Sequence, residues 1–146
     1  LAALTRSFLI AIISIGVFSL IVEMPINNIL LIFIFGFLSA FILGSLGFIT
    51  GLWAEKFDHT ATVTNFVITP LSFLSGVFYS IDKLPKFFQI ISHINPFFYM
   101  IDGFRYGFLG KSDSSLNVGL IYLTILSIVM WYVAFFLYKK GYKIKS

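Results

Sequence analysis

The chain has 146 residues, of which 59% are hydrophobic, 19% aromatic and only 11% charged, and its mean hydropathy is +1.00. A soluble globule of this size cannot hide so much apolar surface, so the solvent is the bilayer. The lack of cysteine removes disulfides, thiolate catalysis and cysteine metal sites, and the net charge of +4 is no nucleic-acid signature. Four of the ten basic residues, Lys139, Lys140, Lys143 and Lys145, close the chain behind an apolar run, as at a cytoplasmic helix end.

The first residue is Leu1, inside an apolar phrase, with no basic segment and small-residue cleavage site after it. We therefore read no signal peptide and expect an N-terminal part of a longer protein ahead of it. Four spans are predicted. The first, Ser7 to Val22, is short, with Arg6 at one end and Glu23 and Pro25 at the other. At ~1.5 Å per residue its apolar part reaches ~24 Å, enough only with its flanks or a thinned bilayer. Asn27 and Asn28 then offer a cap for the next helix.

The second span, Ile29 to Trp53, carries Gly36, Ala40, Gly44, Gly47 and Gly51 at spacings of 4, 4, 3 and 4. Small residues in helical register let another backbone approach closely, so this face is expected to pack against a neighbouring helix. A short polar link, Glu55 to His59, forces an antiparallel turn, with Asp58 placed to cap the third span.

That third predicted span, Thr60 to Ile81, differs in kind. Thr62, Asn65, Thr69, Ser72, Gly76 and Tyr79 recur at spacings of 3, 4, 3, 4 and 3, a polar and small stripe along one helical face. Such a face packs on another helix or lines a wet path. Pro70 removes a backbone hydrogen bond near the middle, so a kink is expected there, with the Thr69 and Ser72 hydroxyls near the freed carbonyls.

Asp82 to Lys86 makes a polar loop in which Pro85 suits a helix start. Leu84 to Ile94 sets apolar residues against Lys86, Gln89 and His93, an amphipathic helix half the length of a span. Asn95-Pro96 ends it. Phe97 to Leu109 is a second short helix, with Asp102 and Arg105 three apart and able to pair. Two half-length helices bent at a proline suit a segment that enters the membrane and returns on the same side. The last span, Leu116 to Tyr138, has no polar stripe, and Trp131, Tyr132 and Tyr138 cluster toward its basic end. With that end cytoplasmic, Arg6, Lys56 and the four C-terminal lysines lie inside, against Lys83, Lys86, Arg105 and Lys111 outside.

Around Thr69 to Gly110, the run ITPLSFLSGVFYSIDKLPKFFQIISHINPFFYMIDGFRYGFLG resembles the signature region of the type-2 ABC transporter permeases. These are the membrane halves of ATP-driven exporters of drugs, polysaccharides and lipid-linked glycans. The preceding GLWAEKFDHTATVTNFVITPL is similar to the same family. The likeness is strong over roughly Gly44 to Gly110 and holds elsewhere by pattern. Within the family it resembles multidrug-type and nodulation-factor or capsule-type permeases alike.

The resemblance implies six spans in the whole protein, a cytoplasmic amphipathic helix before the first, and a dimer of permeases with two nucleotide-binding subunits. This chain then forms one partial permease domain, residues 1–146. It supplies the last four spans, with 84–109 as external re-entrant helices, and lacks the amphipathic helix, the first two spans and most of the main coupling loop. Glu55 to His59 is the remaining internal contact. The chain contains no Walker sequence G-x-x-x-x-G-K-[ST], so ATP and Mg are expected in the partner ATPase subunit, with no enzyme activity and no cofactor in this chain. Its other partners are a second permease copy and membrane lipids, with no nucleic acid, in the bacterial inner membrane.

Each candidate residue set also has a plainer role. The Thr62–Tyr79 stripe either lines the export path or holds the bundle by interhelical hydrogen bonds, and the two are compatible. Asp102 and Arg105 either gate an outer mouth or neutralise each other inside a helix. His93 is read as an interfacial residue and Glu23 as a solvent-exposed one. An ion-coupled carrier needs an ionisable group near mid-membrane, and none of the four span centres holds one. A membrane anchor or assembly subunit stays open as the alternative, with the stripe and the broken helix counting against it.

Overall fold

The computed structural model describes residues 2–23, 25–54, 57–77 and 83–140. Most of the described residues are helical, and none of them lies in a strand. Helix α1 is Ala2–Ser19, α2 is Ile29–Trp53, α3 is Phe57–Val63, α4 is Thr69–Phe73, α5 is Lys86–Ile94, α6 is Pro96–Leu109 and α7 is Leu116–Lys139. A π-helical turn, Thr64–Ile68, joins α3 to α4 without interruption. Among the described residues three helices, α1, α2 and α7, are long and apolar enough to cross a membrane. Their outward faces carry Ile12, Ile13, Leu30, Phe33, Ile121 and Ile128, each more than half exposed. That surface requires lipid rather than water.

Sequence punctuation sets several boundaries. The Asn28 side chain accepts a hydrogen bond from the Leu31 N–H and so caps α2. Asn95 caps α6 in the same way through the Phe97 N–H, with Pro96 in the first turn, where its missing N–H costs nothing. Gly110 ends α6 at φ 67, a left-handed cap that a residue with a Cβ adopts only under strain. Helix α1 starts at Ala2, ahead of the predicted Ser7, so Arg6 lies within it instead of marking its end.

The third predicted span is shorter than its hydropathy indicates. It begins at Phe57 and its helical geometry stops at Phe73, where Leu74 to Gly76 form a turn with Gly76 at φ 77. A continuous helix to Ile81 is thus corrected at Gly76, and 78–82 lie outside the described residues. The expected kink at Pro70 takes the form of the π turn before it. Proline lacks an N–H and its ring crowds the carbonyl one turn back, and one extra residue in the preceding turn relieves the crowding.

The core lies among α2, α6 and α7. Phe35 and Ile42 of α2, Phe98, Tyr99 and Met100 of α6, and Leu123 of α7 form the buried cluster. Helix α6 is the most enclosed element, with seven buried residues including Asp102. Among the described residues, helix α1 packs on α2 alone and buries none of its side chains.

Candidate translocation face and the network that anchors it

The predicted stripe divides into parts with different surroundings. Thr62, Asn65 and Thr69 are exposed, Ser72 is half-buried, Gly76 is buried in the turn, and Tyr79 lies outside the described residues. The π turn inserts one residue between Thr62 and Thr69. It therefore rotates the later positions by about 100°, the angle each residue takes in a 3.6-residue turn. The stripe is consequently two patches instead of one line. Its hydroxyls serve their own helix: Thr69 Oγ1 donates to the Thr64 carbonyl at 2.9 Å and Ser72 Oγ to the Ile68 carbonyl at 2.8 Å. Beside Asn65 stand Phe66, 77% exposed, and Val67. A carboxamide on an open apolar face is stable in the bilayer only with a polar partner or a wet path beside it.

At the C-terminal end of α4 the surroundings change. Asn95 Nδ2 donates to the Leu71 carbonyl at 2.6 Å, and Ser92 Oγ donates to the Leu74 carbonyl at 2.9 Å. Both side chains are buried. They satisfy carbonyls that the end of a helix leaves without intrahelical partners. Asn95-Pro96, expected as a break, is thus also a clamp: the one asparagine caps α6 and holds α4. From the other side, the Tyr122 hydroxyl of α7 donates to the Ile94 carbonyl at 2.7 Å.

The Asp102–Arg105 pair forms as the spacing predicts, at 2.8 Å. It is part of a larger network. Asp102 Oδ1 accepts from Arg105 Nη2 and the Asp113 N–H, while Oδ2 accepts from Ser112 Oγ and from the N–H and hydroxyl of Ser114. Arg105 also reaches Asp113 Oδ2 at 2.8 Å. Asp102 is 1% exposed. Burial alone raises a carboxyl pKa, but the Asp113 N–H, Arg105, Ser112 and Ser114 outweigh it and hold Asp102 below its ordinary value. The sequence reading missed Ser112, Asp113 and Ser114. The signal was there, because a carboxylate in an apolar helix needs donors and the S-D-S-S segment is the nearest supply.

The expected packing face of α2 is used in part. A Cβ on Gly36 would touch Phe104 at 3.6 Å and one on Gly44 would meet Ala3 at 3.1 Å, whereas Gly47 and Gly51 have nothing within 4 Å. Ala40, with Gly36, lines an apolar cavity of about 210 Å³ between α1, α2 and α6. The tightest approach comes from two glycines the sequence reading passed over. A Cβ on Gly103 would overlap the Phe35 ring, and one on Gly107 would overlap Ile32 Cγ1. The Gly107 carbonyl also accepts the backbone N–H groups of Asn27 and Asn28, at 3.0 and 2.8 Å. Gly103-x-x-x-Gly107 on α6 is therefore the close-packing motif against α2.

Among the described residues, no group of three His, Cys, Asp or Glu side chains is placed to hold a metal ion. The family model for the ABC-2 type transporter matches residues 1–109. The chain belongs to the ABC-2 type transporter family. It is 40% identical over 109 residues to the inner membrane transport permease YadH of Escherichia coli K12, covering 75% of this chain and 43% of that protein. It is 33% identical over 84 residues to nodulation protein J of Rhizobium leguminosarum bv. viciae, covering 56% of this chain and 32% of the relative. Nodulation protein J of Sinorhizobium fredii is 26% identical over 97 residues, 66% of this chain and 37% of its own length. The matches thus span less than half of each of these curated relatives. No solved structure gives a significant match.

Proposed function

We propose that this chain is part of the membrane permease of an ATP-driven exporter in a bacterial inner membrane. In this reading the run Phe57–Phe73 is a fourth crossing, about 25 Å long at ~1.5 Å per residue, and the C-terminus is cytoplasmic. Helices α5 and α6 form a re-entrant hairpin on the outer side. Helix α5 fits that place because Phe87, Ile90 and Ile94 face outward while the buried Ser92 turns toward the protein and donates to the Leu74 carbonyl. A partner ATPase binds and hydrolyses ATP with Mg, and a second permease copy completes the path. The cargo class is a drug, a lipid-linked glycan or a polysaccharide, in keeping with relatives named transport permease and nodulation protein.

The observation that carries this reading is the uncovered polar patch Thr62–Asn65 in an otherwise apolar setting, within a chain of the transporter family. An anchor subunit has no need of a carboxamide on an open membrane face. The test is to purify the full-length permease in detergent and assay ATPase activity with and without the nucleotide-binding subunit encoded beside it. A co-purifying subunit whose ATPase rate changes on association supports the exporter. A stable permease with no such partner overturns it and favours the anchor.

A further inference from the structure

The helical run from Phe57 to Phe73 is held at its two ends by different bodies. Among the described residues, α3 contacts α2, α4 contacts α6, and the π turn between them contacts only α3 and α4. The α4 end is fixed by the buried Asn95 and Ser92 clamps. The α3 end lies against the last turn of α2, where the Trp53 and His59 rings stand 5.3 Å apart. The uncovered middle combines a surplus residue with Pro70, which supplies no N–H to hold the turn in register. It also carries hydroxyls on both sides of the surplus residue. Thr64 Oγ1 donates to the Thr60 carbonyl, Thr69 Oγ1 to that of Thr64 and Ser72 Oγ to that of Ile68.

A helix deformed in lipid must keep its carbonyls hydrogen-bonded, and local hydroxyls are the means available. Thr64–Ile68 thus has what a joint requires: an attachment at each end, no neighbour in the middle among the described residues, and substitute donors for bonds that open.

We infer that the Thr64–Ile68 π turn is a hinge at which α3, with the inner end of the polar patch, turns against α4 and the outer hairpin. Passing the surplus residue along the helix turns each residue it passes by about 100° relative to the rest of the run, so moving it beyond Asn65 swings that side chain to a different face while the run bends at the joint. This deepens the exporter proposal and rests on it for its purpose, because the hinge lets the inner end of the path change while α4 stays clamped.

The absence of cysteine from this chain makes the test direct. In the full-length permease, with any cysteines elsewhere replaced, spin labels at Thr60→Cys and Phe87→Cys report α3 against the hairpin. Labels at Ile90→Cys and Ile121→Cys report the hairpin against α7. All four positions are exposed. In lipid nanodiscs, without the ATPase, the hinge predicts a broader or doubled distance distribution for the first pair than for the second. Pro70→Ala, or removal of Val67 to take out the surplus residue, narrows the first distribution to the width of the second. Equal widths in the unaltered protein, or a Thr60–Phe87 distribution untouched by both changes, overturn the hinge. A missing ATPase partner would sink the exporter and leave these distances as they are, so the two failures are distinguishable.

Discussion

Helices α6 and α3–α4 both carry polar groups in an apolar chain and accommodate them in opposite ways. Helix α6 holds a buried Asp and an Arg and is too short to cross a membrane, yet it is the centre of the packing. The α3–α4 run reads as a membrane crossing, yet Thr62, Asn65, Phe66 and Thr69 all face outward. The difference lies in how polar groups are satisfied. In α6 five donors converge on one carboxylate, and two glycines bring the helix into close contact with α2. In α3–α4 the polar groups turn back on their own helix or face outward. A satisfied polar network can be buried, whereas an outward-facing polar group in the bilayer must meet a partner or water. We therefore assign α6 to holding the molecule together and α3–α4 to work at its surface.

The largest expected effect falls on the α6–α2 contact. Gly103→Ala places a Cβ against carbons of the Phe35 ring, an overlap severe enough to put its cost above the usual range of about 1–3 kcal/mol for overpacking. Thermal unfolding of the full-length permease in detergent checks it, with Gly47→Ala as the contrast. Gly47 is open, so its replacement stays within about 0.5 kcal/mol of the parent. Equal losses at the two positions would erase the distinction between the helices.

Next in size is Asp102→Ala, which takes the acceptor from five donors. The loss is expected near ~3 kcal/mol, the low end for breaking a buried ion pair, because Arg105 keeps Asp113. The same carboxylate sets a pH dependence. Its folded-state pKa is lowered, so its stabilisation is fully present above the ordinary value of 3.8 and is lost as pH falls through the depressed one. Unfolding followed from about pH 7 downward should show this loss only in the acid range, and Asp102→Asn should remove that component.

Asn95→Ala comes third. It deletes the bond to the Leu71 carbonyl and the α6 cap together, for a loss of about 2 kcal/mol. Hydrogen exchange in α4 should rise more than in α7. The smallest effect is expected for Tyr122→Phe, at about 0.6 kcal/mol for one membrane hydrogen bond.

Where a local pattern decided the outcome, the sequence was legible. The apolar run and Asn28 place α2 at Ile29–Trp53, and Leu116 opens α7, both as predicted. Asn95-Pro96 breaks the helix and Asp102 pairs with Arg105, because both depend on neighbours within a turn. What escaped depends on distant parts of the chain. Gly103 and Gly107 stand at a packing spacing, but the partner they fit is seen only when Phe35 and Ile32 lie against them. The Ser112–Ser114 donors are signalled in the sequence only by the need of a carboxylate in an apolar helix, and their place is seen when the loop after Gly110 folds back on Asp102. The stop at Phe73 was masked because Leu74 and Val77 continue the apolar pattern past the turn.

The central claim is that the α3–α4 patch acts in transport while α6 supports the fold, and Asn65→Leu tests it most directly. ATP-dependent export should be measured for this variant in proteoliposomes containing the full-length permease and its ATPase, beside the unfolding temperature of the same preparation. We predict that export is lost while the unfolding temperature and the binding of the ATPase stay at parental values. Export at the parental rate would contradict the assignment and reduce the patch to helix packing.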